Sequence, residues 1–458
     1  MINPEKTRDR HLSKLRLEAK SLEKLDNYFE GEQPLSFIAP AVRDEVGDRV
    51  TELVINWPRL GVEAYEHRLD IEGFRFAGTD SGDDELWGVW QANDGDFLSQ
   101  QAHQESLALK RSYAIVGEGD DPEVPLLTVE SPFEAIHELD PRTHDVASGI
   151  KTWTDEDKTR WVNLYHPNGW YTYWREKGAW RLDEGLSEDN DFGLCALVPI
   201  VHSPRILGRE RAGKMDQRLG RSIFQDVIKL ADAANKLATD MMVSAEFHAM
   251  PRRWAVGLTE KDFIDEDGKP LDTFQLIAGA LWTSENKDTK FGQFNEADLA
   301  GFRESIKLLA QTVGQLLALP PDYLGFTGDN PTSADAIRAA ERQLVKRAER
   351  IQQVYSSRWE RVQHLILRRM GYPESQEMHR IETLWRDPAT PTVAQKADAV
   401  VKLVQAKDGS GRSLVPVQQA REDLGYTATQ RRRMEAWDRE DPMLDRAMRG
   451  VDDSLLVS

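Results

Sequence analysis

Cysteine is almost absent. Cys195 stands alone among 458 residues, so the chain holds no disulfide framework and cannot build a cysteine-based metal site. The thiol sits in the apolar run FGLCALVPIV, where it reads as a small buried hydrophobe. Long apolar runs are missing as well. None approaches the roughly 18 residues of a membrane span, and the opening MINPEKTRDRHLSK lacks signal-peptide character. These absences predict a protein with no membrane partner, made in a reducing compartment. Basic residues are the minority, with 59 Lys and Arg against 78 Asp and Glu and a net charge of −19. Phosphate affinity comes from Lys and Arg displacing counterions, so an acidic chain is a poor general nucleic-acid binder. An acidic wall can still surround a polyanion without gripping it.

Catalytic signatures are missing too. There is no His-Glu-x-x-His, no Gly-x-x-x-x-Gly-Lys-Ser/Thr and no Gly-x-Ser-x-Gly. The string GFTGDNPTS has glycines but no Lys to reach a phosphate. Asp265-Glu266-Asp267-Gly268 lacks the ligand spacing of a calcium loop and reads as a solvated turn. The ten histidines are scattered singly, as structural or surface residues are. The expectation is therefore no catalytic residue, no metal ligand and no cofactor.

What is present is enough apolar content, 40%, for real cores, and enough length for two to four compact units at about 150 residues each. Periodicity predicts a helix over residues 5–29, ended by Glu30-Gly31-Glu32-Gln33-Pro34. A second helix is expected over 41–55, with Val42, Val46, Val50 and Val54 four apart and Asn56-Trp57-Pro58 as the breaker. Residues 86–110 read as helical. Alternating runs then predict strands at 112–116, 126–129, 150–153, 160–165 and 170–174, with a hairpin turn at His166-Pro167-Asn168-Gly169. An acidic loop, 183–191, closes this antiparallel region.

Residues 222–250 read as one helix of about 29 residues and about 43 Å, free of Pro and Gly and stopped by Pro251. Its apolar side is mostly small, with Ala231, Ala234, Ala238 and Ala245, which lets neighbouring backbones approach closely. Residues 254–294 are short and β-like, with a strand at 279–283. Another helix runs from 295 or 296 to 319, ended by Pro320-Pro321, and a Gly/Pro loop covers 322–332. A very long helix from about 334 to 370 places Ile337, Ala340, Leu344, Ala348, Ile351, Tyr355, Trp359 and Val362 on one face. It carries nine Lys and Arg against four acids. A solvated face with pairs along the helix, such as Glu341 with Lys346, accounts for most of them; contact with an acidic neighbouring subunit or with phosphate is the functional alternative. Short helices at 392–405 and 415–424 flank a Gly-Ser-Gly loop.

The order of these elements, with the strings LDNYFEG (25–31), LDIEGF (69–74), ADAANK (231–236), AEFHAMPRR (245–253) and SADAIRAAE (333–341), resembles the portal proteins of tailed bacteriophages, the long-tailed-phage group in particular. The resemblance implies an α+β, mainly α-helical portal fold. Its parts would be an α/β wing (1–207), stem helix 1 (208–250), a small β-containing clip (251–295) and stem helix 2 (296–319). A tunnel loop (320–333), a long helix with the wing/crown connection (334–390) and a helical crown (391–458) would follow. It further implies a homo-oligomeric ring of about twelve subunits at one capsid vertex, assembled in the host cytoplasm. Double-stranded DNA would enter the head through it and later leave. Expected partners are the terminase large subunit, a head–tail adaptor, and the major capsid and scaffolding proteins.

Residues carried over from the resemblance are Phe326, Thr327, Gly328, Asp329, Asn330 and Pro331 in the tunnel loop. Trp254, Asp265, Glu266, Asp267 and Trp282 fall in the partner-binding clip. Lys229 and Lys236, seven apart on stem helix 1, are candidates for weak contacts with DNA, with intersubunit salt bridges as their alternative use. Twelve acidic chains would carry about −228 in total, repelling phosphate so that DNA slides. The rival function is a metal-dependent nuclease or other phosphate-processing phage enzyme with an acidic metal site. A head–tail adaptor is disfavoured by chain length.

Overall fold

The computed structural model describes residues 3–34, 53–78, 82–189, 193–206, 217–249, 253–257, 288–293, 299–325, 334–389, 393–407, 409, 411, 413–426 and 428–440. They fall into two compact units, one of residues 1–26, 60–225 and 330–458, the other of 27–59 and 226–329. The fold is α+β and mainly helical.

Helix α1 (Pro4–Glu30) stops at Gly31, whose φ of +80° closes the last turn in a conformation that glycine takes without strain. Helix α2 (Trp57–Glu66) begins where the sequence suggested a break. Asn56 accepts the Arg59 N–H at 3.0 Å, and Pro58 sits in the first turn, where a missing N–H costs nothing. Asn-Trp-Pro is thus a start signal. Of the helix expected over 41–55, only 53–55 lie within the described residues, and they are not helical.

After β1 (Ile71–Phe76), the single helical stretch expected over 86–110 divides into α3 (Asp84–Ala92) and α4 (Gly95–Leu109). The break is at Asn93-Asp94, with Asp94 left-handed at φ +52°. Asn93 secures it by donating to Pro125 O at 3.0 Å and accepting from Leu127 N at 2.8 Å. Eight strands follow: β2 (Arg111–Gly117), β3 (Leu126–Glu130), β4 (Ala135–Leu139), β5 (Val146–Thr154), β6 (Arg160–His166), β7 (Gly169–Glu176), β8 (Ala179–Asp189) and β9 (Leu197–Val201).

Strand β2 lies between β3 and β9, and β4 to β8 form a five-stranded antiparallel meander. The five predicted strands are all present. The expected acidic loop is mostly the edge strand β8, whose acids stay hydrated while its backbone pairs with β7. Asp183 there accepts from Gly185 N and Leu186 N at 3.0 and 3.1 Å, around a register shift. Leu12 and Leu15 of α1 pack on Ile136, Ile150, Val162, Leu164 and Tyr173 of this meander. Cys195 is buried, which pushes its thiol up to about 12.

The long helix expected from residue 222 starts later, as α5 (Ile228–Ala249). Arg221 N–H and Ile223 N–H donate to His202 O and Leu107 O, both at 3.0 Å, so the backbone before 228 is committed elsewhere. Strand β10 (Arg253–Val256) pairs antiparallel with β11 (Lys290–Gln293), and α6 (Ala300–Leu317) follows. The strand expected at 279–283 lies outside the described residues. Helix α6 is shorter than the predicted 296–319, because Ala318 turns left-handed at φ +54° and Leu319 N–H closes on Gly314 O at 2.9 Å. Helix α7 (Ala334–Arg369) matches its predicted bounds to within a residue. Strand β12 (Ile381–Trp385), which periodicity did not indicate, pairs with β1 from the other end of the chain. Helices α8 (Val393–Gln405), α9 (Val417–Asp423) and α10 (Ala428–Glu440) are the last elements among the described residues.

The larger unit is built around α7. Its Leu344, Ala348, Tyr355, Trp359 and Val362 are fully buried, as their spacing predicts. Trp359 meets Trp90 edge to face, with centroids 5.1 Å apart, and donates to His103 Nε2 at 2.9 Å. Tyr355 donates to Ser106, which donates to Ile200 O. Beneath β2, Arg111 and Glu18 pair with no exposure at all, and Arg111 Nε donates to Tyr113 at 2.6 Å. The basic residues of α7 are largely used inside the chain. Glu341 pairs with Arg68 rather than Lys346, Lys346 with Glu349, Arg361 with Asp145, and Arg369 with Glu188 while lying 4.3 Å over Trp170.

Candidate functional site

The smaller unit is organised on α5 and α6, which pack against each other. Val227, just before α5, and Ile228, Ala231, Ala234, Asn235, Ala238 and Thr239 on it are buried, a stripe stepping by three and four. Ala231, Ala234 and Ala238 are therefore spent on packing inside one chain. Two polar ties hold the stripe. Tyr28, in the last turn of α1, donates to Asp232 at 2.7 Å, and Ile55 N–H donates to Asn235 Oδ1 at 2.7 Å. Burial, then the Asp232 carboxylate, raises the Tyr28 phenol well above its usual range, so it remains a donor. Asn56 donates to Phe29 O at 2.8 Å, and the Arg59 guanidinium lies 5.3 Å over the Phe29 ring.

Helix α6 buries Ala310, Val313, Gly314 and Leu317. On its other side Leu308 is 64% and Leu316 43% exposed, two turns apart, and Met242 on α5 is 38% exposed. Sequence reasoning missed this; an apolar residue outside the helical period was the available signal. The β10–β11 ladder links the two helices, with Arg253 opposite Gln293 and Val256 opposite Lys290.

Lys229 is exposed on the first turn of α5. Lys236, half-buried, binds both carboxylate oxygens of Asp240 at 2.8 Å, an i,i+4 pair within the helix. Seven residues place the two lysines on one face, about 10 Å apart along the axis. Trp254 lies on β10 opposite Gly292. Asp265, Glu266, Asp267 and Trp282, like Phe326, Thr327, Gly328, Asp329, Asn330 and Pro331, lie outside the described residues. In the larger unit, His364, Glu374 and His379 converge; scattered singly in sequence, they carried no spacing signal.

One unit holds a helix pair and a β ladder, the other a meander and a long helix, and the fold is of the α+β class that the resemblance implied. The chain belongs to the family described as phage portal protein, SPP1 Gp6-like, which matches residues 10–440. It is similar to the portal proteins of Mycobacterium phage D29 and Mycobacterium phage L5, at 32% and 30% identity. Both alignments cover 98% of this chain, with 92% and 91% of the relatives. Among solved structures, a chain of "Neck of native GTA particle computed with C12 symmetry" matches at 14% identity and a TM-score of 0.45. That match covers 80% of this chain and 89% of the other. Phage portal proteins sit in the virion capsid and form a structural, not an enzymatic, family. Among the described residues, no helix is long and apolar enough to cross a membrane.

Proposed function

We propose that this portal protein closes into a ring of about twelve copies through which double-stranded DNA is packaged and later ejected, without catalysis of its own. The terminase large subunit docks on it during packaging and the head–tail adaptor afterwards, at one vertex of a shell of major capsid and scaffolding proteins. The observation that carries the ring is the outer side of the helix pair. Its alanine stripe is already buried, yet Leu308, Leu316 and Met242 remain exposed, apolar area that a neighbouring copy would cover. Lys229 and Lys236 supply weak basic contacts along an otherwise acidic wall. Phe326, Thr327, Gly328, Asp329, Asn330 and Pro331 form the loop that narrows the channel. Trp254, Asp265, Glu266, Asp267 and Trp282 belong to the partner-binding end.

Mass photometry and negative-stain imaging test the ring. Copies of a 52.1 kDa chain are expected in a particle of roughly 600 kDa with a central hole. A 52.1 kDa monomer at every salt and protein concentration would overturn the reading. The nuclease alternative called for an acidic metal site, and among the described residues no group of carboxylates alone converges to hold an ion.

A further inference from the structure

We propose that His364, Glu374 and His379 form a binding site for one divalent transition ion of the zinc type per chain. His364 lies near the end of α7, with its side chain 6% exposed. Glu374 follows the Gly371-Tyr372-Pro373 bend, and His379 sits in a short 3-10 turn, Met378–Arg380, directly before β12. His364 Nε2 is 3.2 Å from Glu374 Oε1, and His379 Nε2 is 3.1 Å from the same oxygen. The two imidazoles stand edge to face, centroids 5.1 Å apart. All three ligand atoms lie within 4.8 Å of one another.

Tetrahedral zinc, with bonds of about 2.0–2.1 Å, spaces its ligands about 3.3 Å apart. Both nitrogen–oxygen separations are near that value already. His379 is 63% exposed, so its ring turns to close the third at little cost. Two imidazoles and a carboxylate suit zinc and its neighbours rather than calcium or magnesium, which take oxygen sets. Arg368 Nε stands 3.5 Å from the other carboxylate oxygen, Oε2. His364 Nε2 also lies 3.2 Å from Oε2, so both oxygens of the Glu374 carboxylate face that imidazole. Glu374 and His379 are both exposed, so the site is open to solvent.

Two features moderate the affinity. Arg361 and Arg368 place positive charge around the site, and without an ion Glu374 already bonds both imidazoles. Bound, the ion cross-links the end of α7 to the segment leading into β12, the strand that pairs with β1.

The test uses untagged full-length protein, stripped with chelator and titrated with zinc chloride by calorimetry. One ion per chain is expected, with affinity at least tenfold weaker in His379→Ala and in Glu374→Gln. His379 is exposed, so His379→Ala keeps the fold, checked by circular dichroism and an unchanged melting temperature without metal. Zinc raises the melting temperature of the parent protein and leaves that of His379→Ala unmoved. No saturable zinc binding at micromolar concentrations, or equal binding by parent and both variants, would overturn the site.

Discussion

His103 accepts the Trp359 indole N–H on Nε2, which holds the ring neutral with its proton on Nδ1. Burial drives its pKa down to about 3, that of His11 to about 4, and that of His137 well below the ordinary value, the last with help from Arg111. An unfolded histidine titrates near 6.5, so the unfolded chain takes up protons that these three refuse. Their contribution is complete above pH 6.5 and is lost as pH falls from there toward 4. Glu105 acts in the opposite sense. Burial, then the nearby Asp26 carboxylate, raises it to about 7. Its ionisation therefore costs stability that is present below about pH 4.5 and lost as pH rises to 7. Glu105→Gln removes that cost. It should stabilise the protein by up to ~3 kcal/mol at pH 8 and by almost nothing at pH 4.5. Thermal melts at both pH values check this; an equal gain at each would point to packing instead of charge.

At the scale of elements, Gly220 decides where the segment before α5 begins. Its φ is +90°, and an added Cβ would lie 2.5 Å from Lys110 O and 2.8 Å from His202 O. Both are backbone atoms and cannot step aside. Gly220→Ala is expected to cost about 2 kcal/mol or more. Gly301, on the first turn of α6, has nothing within 4 Å of an added Cβ. Gly301→Ala should stabilise by roughly 0.5 kcal/mol. Chemical denaturation of the two variants checks the contrast, and a neutral Gly220→Ala would mean the segment relaxes. Helical spacing alone made α1, α6 and α7 legible, because their core contacts recur every three to four residues. Asn56-Trp57-Pro58 was ambiguous, since the same residues end one helix and cap the next. The β1–β12 pair was illegible, because strands so far apart leave no local periodicity that links them.

At the scale of the whole molecule, the proposed channel predicts different outcomes for assembly and transport. Lys229→Glu adds charge to an exposed position on α5, clear of its buried stripe. Ring mass is expected to stay as in the parent, while complementation of a portal-deficient phage yields roughly half the packaged genomes or fewer. Full yield would remove Lys229 from the channel wall. Lys236 is the weaker candidate, because Asp240 already neutralises it.

By itself the sequence determined the class of chain, the family and the run of long helices, because composition, element order and period-3.6 spacing are local properties. Its acidity and lone cysteine set the expectations about chemistry. Only the tertiary structure decided that the alanines of α5 pack within one chain, because a small-residue stripe does not name its partner. It likewise decided that leucines on α6 are left uncovered and that α7's cations are mostly paired internally. The meeting of His364, Glu374 and His379 also belongs to the fold, since a bend after α7 joins ligands that the sequence spaces ten and five residues apart.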